Sequence, residues 1–117
     1  VGAPWPPRDR MVAGKPWLCD AGGNGGLSLR RRSQAIKCLD AMARQPGQWE
    51  DIYFIELLRR LGCTVAPAAA AREFAVEQLF HDRPCALHKV YAYLSVAQLE
   101  TILRNVERAY RALLNGP

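Results

Sequence analysis

Apolar residues recur at three- and four-residue steps in three stretches of the chain. That spacing is the signature of a helix with one buried face. The first stretch starts at Ser33, a good N-cap, and runs through Ala35, Ile36, Leu39, Met42 and Ala43 until Pro46-Gly47 ends it. The second spans 51–61, with Phe54, Ile55, Leu58 and Leu61 on one side and Gly62 as its C-cap. The third is the strongest. Ser95-x-x-Gln98 forms a capping box, and Leu99, Ile102, Leu103, Val106, Tyr110, Leu113 and Leu114 make one stripe that stops at Asn115-Gly116-Pro117.

Strand signals are few and short. Val1-Gly2-Ala3, Leu27–Arg30, Cys63–Ala66 and Phe74–Glu77 read as strands, and Cys85–His88 as a loop or a strand. Pro67 opens a single helical turn over 68–71. Pro4, Pro6, Pro7 and Pro16 keep residues 1–29 irregular. The pattern therefore predicts an α+β fold, mainly helical with a few short strands. One domain covers 1–117, divided into a Pro/Gly-rich segment (1–32), helices and short strands (33–94) and a C-terminal amphipathic helix (95–115).

A length of 117 residues suits one domain, and a composition half apolar and 23% charged is globular rather than disordered. No apolar run approaches the ~20 residues of a membrane span. The first residues, which include Arg8, Asp9 and Arg10, do not read as a signal peptide. The four cysteines, at 19, 38, 63 and 85, include no Cys-x-x-Cys pair. They read as reduced thiols, with Cys38 and Cys63 as small buried hydrophobes. These features predict a cytoplasmic chain with no membrane partner.

The net charge of +5 leaves two readings open, a solvated basic surface or a specific anion site. The clusters Arg30-Arg31-Arg32 and Arg59-Arg60 lack the interleaved aromatics of a nucleic-acid surface, so nucleic acid is not the expected partner.

Candidate chemistry begins at the run Gly22-Gly23-Asn24-Gly25-Gly26. Such glycines can aim N–H groups at phosphate or sugar oxygens, or simply form a turn between strands. No Gly-Lys-Ser/Thr follows, and the third glycine of a dinucleotide fingerprint is replaced by Ser28. Glu50-Asp51 at a helix start can serve capping or act as a general base. His88 can be a structural hydrogen-bonding residue, a metal ligand or a proton acceptor. Trp5, Trp17 and Trp49 can stack on a sugar's apolar face or anchor their loops.

Taken in order, Gly2-Ala3-Pro4-Trp5, Gly23-Asn24-Gly25-Gly26-Leu27-Ser28-Leu29-Arg30, Glu50-Asp51, Phe74-Ala75-Val76-Glu77 and His88-Lys89 resemble a family of glycosyltransferase-like proteins known mainly as a domain of unknown function. The resemblance implies the C-terminal half of a GT-A nucleotide-sugar transferase domain. Asn24, Gly25 and Gly26 would line the sugar or acceptor cleft, and Arg30 would meet phosphate; Trp5 and Trp49 join them as substrate-binding candidates from the stacking reading above. Asp51, or Glu50, would deprotonate an acceptor hydroxyl in an inverting transfer. His88 would contact a metal or a diphosphate. A divalent metal such as manganese and a sugar or nucleotide-sugar ligand are implied in the same way. Two departures count against activity by the chain alone: it has no Asp-x-Asp, and the resemblance starts in the family's middle, so the donor-binding half is expected outside it. The alternative expectation is a non-enzymatic assembly module that forms homo-oligomers or docks the missing half.

Overall fold

The computed structural model describes residues 1–115, with Met11 and Gly25 described by backbone alone. The fold is α+β. Strands β1 (Gly2–Pro4) and β2 (Gly22–Ser28) flank two short 3-10 turns, Arg10–Val12 and Pro16–Asp20. Helices α1 (Arg32–Ala41), α2 (Glu50–Arg60) and α3 (Ala68–Phe74) follow. Strands β3 (Ala75–Val76) and β4 (Ala86–Leu87), a 3-10 turn at Val90–Ala92 and helix α4 (Val96–Asn115) complete the order. Among the described residues, no helix is long and apolar enough to cross a membrane.

The glycine run is a strand, which corrects the reading of it as a turn between strands. β2 pairs antiparallel with β1 through Gly2↔Ser28, Ala3↔Asn24 and Pro4↔Gly22. One step along β1, from Gly2 to Ala3, corresponds to four along β2, so residues 25–27 bulge out of the ladder. The missing side chains serve packing. A Cβ on Gly22 would collide with the Ala71 side chain of α3, and one on Gly23 with Ile55 of α2. The glycines therefore let two helices sit directly on the strand.

Behind β2, Trp5, Val12, Leu18, Ala21, Ile52 and Ile55 form the main core. A second cluster joins Cys38 of α1 to Tyr53 and Leu57 of α2. The Tyr53 hydroxyl sits 2.6 Å from the Met42 carbonyl and 3.1 Å from that of Cys38, tying the end of α1 to α2.

Several expectations shift. α1 begins at Arg32, so Ser33 lies in its first turn, and no side chain caps it. α1 buries Cys38, while Ile36, Leu39 and Met42 stay exposed, because only α2 packs against it closely. On α2 the buried residues are Ile52, Tyr53, Ile55 and Leu57, and Leu61 is exposed. Gly62 caps α2 as expected, with φ +66. Its N–H donates to the Arg59 carbonyl (3.0 Å) and that of Cys63 to the Leu58 carbonyl (2.8 Å), the Schellman pair of bonds. Cys63 itself is only half-buried.

Residues 63–66 form no strand; there the Ala66 carbonyl accepts the Gly22 N–H at 2.9 Å. The expected single turn at 68–71 extends to Phe74, because Arg72, Glu73 and Phe74 all tolerate a helix and neither Gly nor Pro interrupts them. The Ser95–Gln98 box forms as expected, with the Ser95 N–H to Gln98 Oε1 at 2.9 Å and the Gln98 N–H to Ser95 Oγ at 3.3 Å. The expected helix stop after Asn115 lies outside the described residues.

Candidate functional site

β3 and β4 are short but decide the site. They pair in parallel, Ala75↔Ala86 and Val76↔Leu87, and the His88 N–H donates to the Val76 carbonyl at 3.0 Å. Continuing that register sets Glu77 beside His88. The bulge of β2 then lies against the imidazole, since a Cβ on Gly26 would occupy the place of the His88 ring.

These pieces border a cleft of about 390 Å³ lined by Asn24 and Gly26 of β2, Trp49, Glu50 and Asp51 at the start of α2, and Glu77, Gln78, His88, Lys89 and Tyr93. Asp9 and Arg10 close one side. Residues far apart in sequence thus converge, and most of those expected at the site are among them. Asn24 shapes the bulge by accepting the Gly26 N–H on its side-chain oxygen at 3.2 Å. Asp51 accepts the Ile52 N–H on Oδ1 at 2.8 Å. Trp49 precedes α2 and is 60% exposed, so its indole is open to a ligand.

Two expected residues serve differently. Trp5 is only 2% exposed and belongs to the core, so it is an anchor of the cleft floor rather than a stacking surface. Arg30 does not line this cleft. It pairs with Glu50, stacks over the Phe54 ring at 4.6 Å and borders a neighbouring cavity of about 130 Å³, which Asp51 also lines. Glu50 is thereby drawn toward Arg30, and Asp51 is the acid common to both spaces. Gly25 lies in the bulge by its backbone; its surroundings are outside the described residues.

Glu77 has no assigned role in the sequence reading. It is 6% exposed, the one charged residue in the described core, and its Oε2 has no hydrogen-bond partner. Its Oε1 lies 3.7 Å from Nδ1 of His88, which is itself buried without a hydrogen bond. Burial raises the Glu77 carboxyl above its ordinary range, and Asp51 adds to this, while His88 and Lys89 oppose it. The available signal was an acid placed directly after the apolar pair Ala75-Val76, inside a segment that alternation predicts to be covered. Asp9, which accepts a hydrogen bond from Gln78 Nε2 at 2.7 Å, carried no such signal.

The donor set does not suit the implied divalent metal. Among the described residues no three His, Cys, Asp or Glu side chains are grouped to hold one, and His88 faces a single carboxylate.

No curated protein and no solved structure matches the chain. Residues 1–88 match a family described as "protein of unknown function (DUF5672)". That span contains both core clusters, the bulged strand, the start of α2 and the Glu77–His88 pair, and stops before α4, which carries the buried Ile102. Matched over about three-quarters of its length, the chain belongs to that family of proteins of unknown function (DUF5672).

Proposed function

We propose that the cleft is the acceptor side of a sugar-transfer site, carried on a domain that corresponds to the C-terminal half of a GT-A-like fold. The observation that carries this reading is convergence. Asn24, Gly26, Asp51 and His88, which the family resemblance marks along the chain, line one cleft with Trp49, the loop tryptophan read as able to stack on a sugar. Exposed Trp49 offers a flat apolar surface to a sugar's C–H face. The cleft's carboxylates accept hydrogen bonds and so suit hydroxyl donors.

In the transfer, the acceptor hydroxyl gives its proton to an Asp51 carboxylate oxygen. The freed oxygen electron pair attacks the anomeric carbon of a nucleoside-diphosphate sugar. The bond from that carbon to the diphosphate oxygen breaks, its electron pair leaves with the diphosphate, and the anomeric configuration inverts. The donor must be held by groups beyond those gathered here.

Saturation-transfer NMR with methyl hexosides and nucleotide sugars tests the reading. Saturation of methyl hexosides is expected, reduced severalfold by Trp49→Ala and Asp51→Asn. Saturation that both variants leave unchanged would remove it.

A second reading, a non-enzymatic module that self-assembles through α4, is favoured by one observation. The α4 stripe of Leu103, Val106, Tyr110, Leu113 and Leu114 is exposed. A second copy is the occupant tested by light scattering: a dimer that Leu103→Glu dissociates supports it, and a monomer at high concentration rejects it.

A further inference from the structure

We propose that Glu77 fixes His88 as its Nδ1–H tautomer, so that Nε2 is presented to the cleft as an acceptor for a ligand hydroxyl. This gives His88 a direct binding role instead of a metal contact, and makes Glu77 a positioning residue.

Three observations carry it. First, Nδ1 of His88 is buried, and the nearest polar atom recorded for it is Glu77 Oε1 at 3.7 Å. A bare nitrogen lone pair there would face carboxylate lone pairs. An N–H there would face an acceptor, one small approach from a hydrogen bond. Second, His88 keeps a quarter of its side chain exposed and lines the cleft, so with Nδ1 buried the opposite edge of the ring meets the ligand space. A neutral imidazole that donates from one nitrogen accepts at the other. Third, the surroundings hold both partners in place. The His88 ring lies where a side chain on Gly26 would stand, and the backbone bond from His88 to Val76 fixes the segment that carries it.

The charged groups that act on the pair divide. Lys89 favours the ionised Glu77 that the arrangement needs, whereas burial and Asp51 favour its protonated form. Were Glu77 to keep the proton and donate a hydrogen bond to a bare Nδ1, neutral His88 would carry its own hydrogen on Nε2 and present a donor. The two arrangements therefore predict opposite cleft chemistry. With Nε2 as acceptor, the polar lining of Asp51, Asn24 and His88 offers acceptors to neighbouring hydroxyls, which fits a vicinal diol. The proposal rests on the cleft being the ligand site, though the tautomer itself does not depend on the ligand being a sugar.

The chain contains two histidines, and the other is an internal control. His81 Nδ1 accepts the Arg83 N–H at 3.3 Å, so His81 must carry its hydrogen on Nε2 when neutral. Long-range ¹H–¹⁵N spectra of the full chain, recorded where both rings are neutral, read the two tautomers directly. The expected result is opposite tautomers: Nδ1–H for His88 and Nε2–H for His81. Glu77→Gln, which keeps the shape and removes the charge, should return His88 toward a mixture and leave His81 unchanged. Gly26→Ala should do the same by displacing the ring, which provides a second variant if Glu77→Gln folds poorly. An Nε2–H signal for His88 in the native chain overturns the proposal, as does a His88 signal that neither variant moves. Adding methyl glucoside should shift the His88 Nε2 resonance. Absence of any methyl glucoside binding, with the tautomer as expected, would reject the carbohydrate reading and not the pair.

Discussion

The strand with the most glycine and the helix with the most regular apolar stripe have opposite fates. β2 is almost without apolar side chains, yet Gly22 is buried and two helices rest on the strand. α4 has seven apolar residues at helical spacing, yet it buries only Ile102, at 1% exposure, while Leu113 is 82% exposed. The apolar content of a single element is therefore a poor guide to how deeply that element is buried. Burial follows closeness of approach, and glycine permits the closest approach.

That contrast can be broken by substitution. Trp5→Ala empties the middle of the β2 side and should cost about 3–5 kcal/mol, read as a lower urea midpoint. Ile102→Ala should cost about 2–4 kcal/mol in the same assay, because it is the residue that pins α4. Gly22→Ala adds a single methyl, but into the Ala71 side chain, and a loss of about 1–3 kcal/mol is expected. Leu113→Ser should change stability by no more than about 0.5 kcal/mol in a monomer. A large loss there would mean that the stripe is covered in solution, which would favour the assembly reading.

The pH dependence sharpens the same comparison. Glu77 carries a carboxyl raised on folding above its ordinary 4.5, first by burial and then by Asp51. Between the unfolded and the folded value, the folded chain holds a proton that the unfolded chain has released. This contribution to stability is fully present below the unfolded value and is lost as pH rises through the folded one. Glu77→Gln should flatten that part of a pH-stability curve measured by thermal melting. The exposed pairs Glu100–Arg104 and Glu107–Arg111 on α4 should add little to it.

Local signals were legible in the chain wherever a short motif determines its own geometry. The Ser95–Gln98 box and the Gly62 cap formed as read, because each satisfies its hydrogen bonds within a few residues. Helices α1, α2 and α4 lie where the periodicity puts them for the same reason. The face each helix buries was legible only in part. Cys38 and Ile55 are buried as read, whereas Tyr53 is buried and Leu39 and Leu61 are not, because that choice belongs to the neighbouring element. The glycine run misled in a similar way: glycine suggests a loop until Ala71 and Ile55 are seen to need its space.

At the site, Asn24, Gly26, Trp49, Asp51 and His88 could be named in advance, but Glu77 could not be paired with His88. Their meeting depends on the parallel register of two two-residue strands, which no local pattern encodes. Trp5 and Arg30 show the converse. Each belongs to an expected motif, yet core packing and the Glu50 pair claim their side chains.

The proposed carbohydrate site is the cleft between β2, the start of α2 and the Glu77–His88 pair. Amide and indole chemical-shift mapping of the ¹⁵N-labelled chain with methyl hexosides tests it most directly. The predicted result is a set of saturable shifts confined to Asn24, Gly26, the Trp49 indole, Asp51 and His88, and lost in Asp51→Asn. Shifts confined to α4, or none at any of these residues, would contradict it.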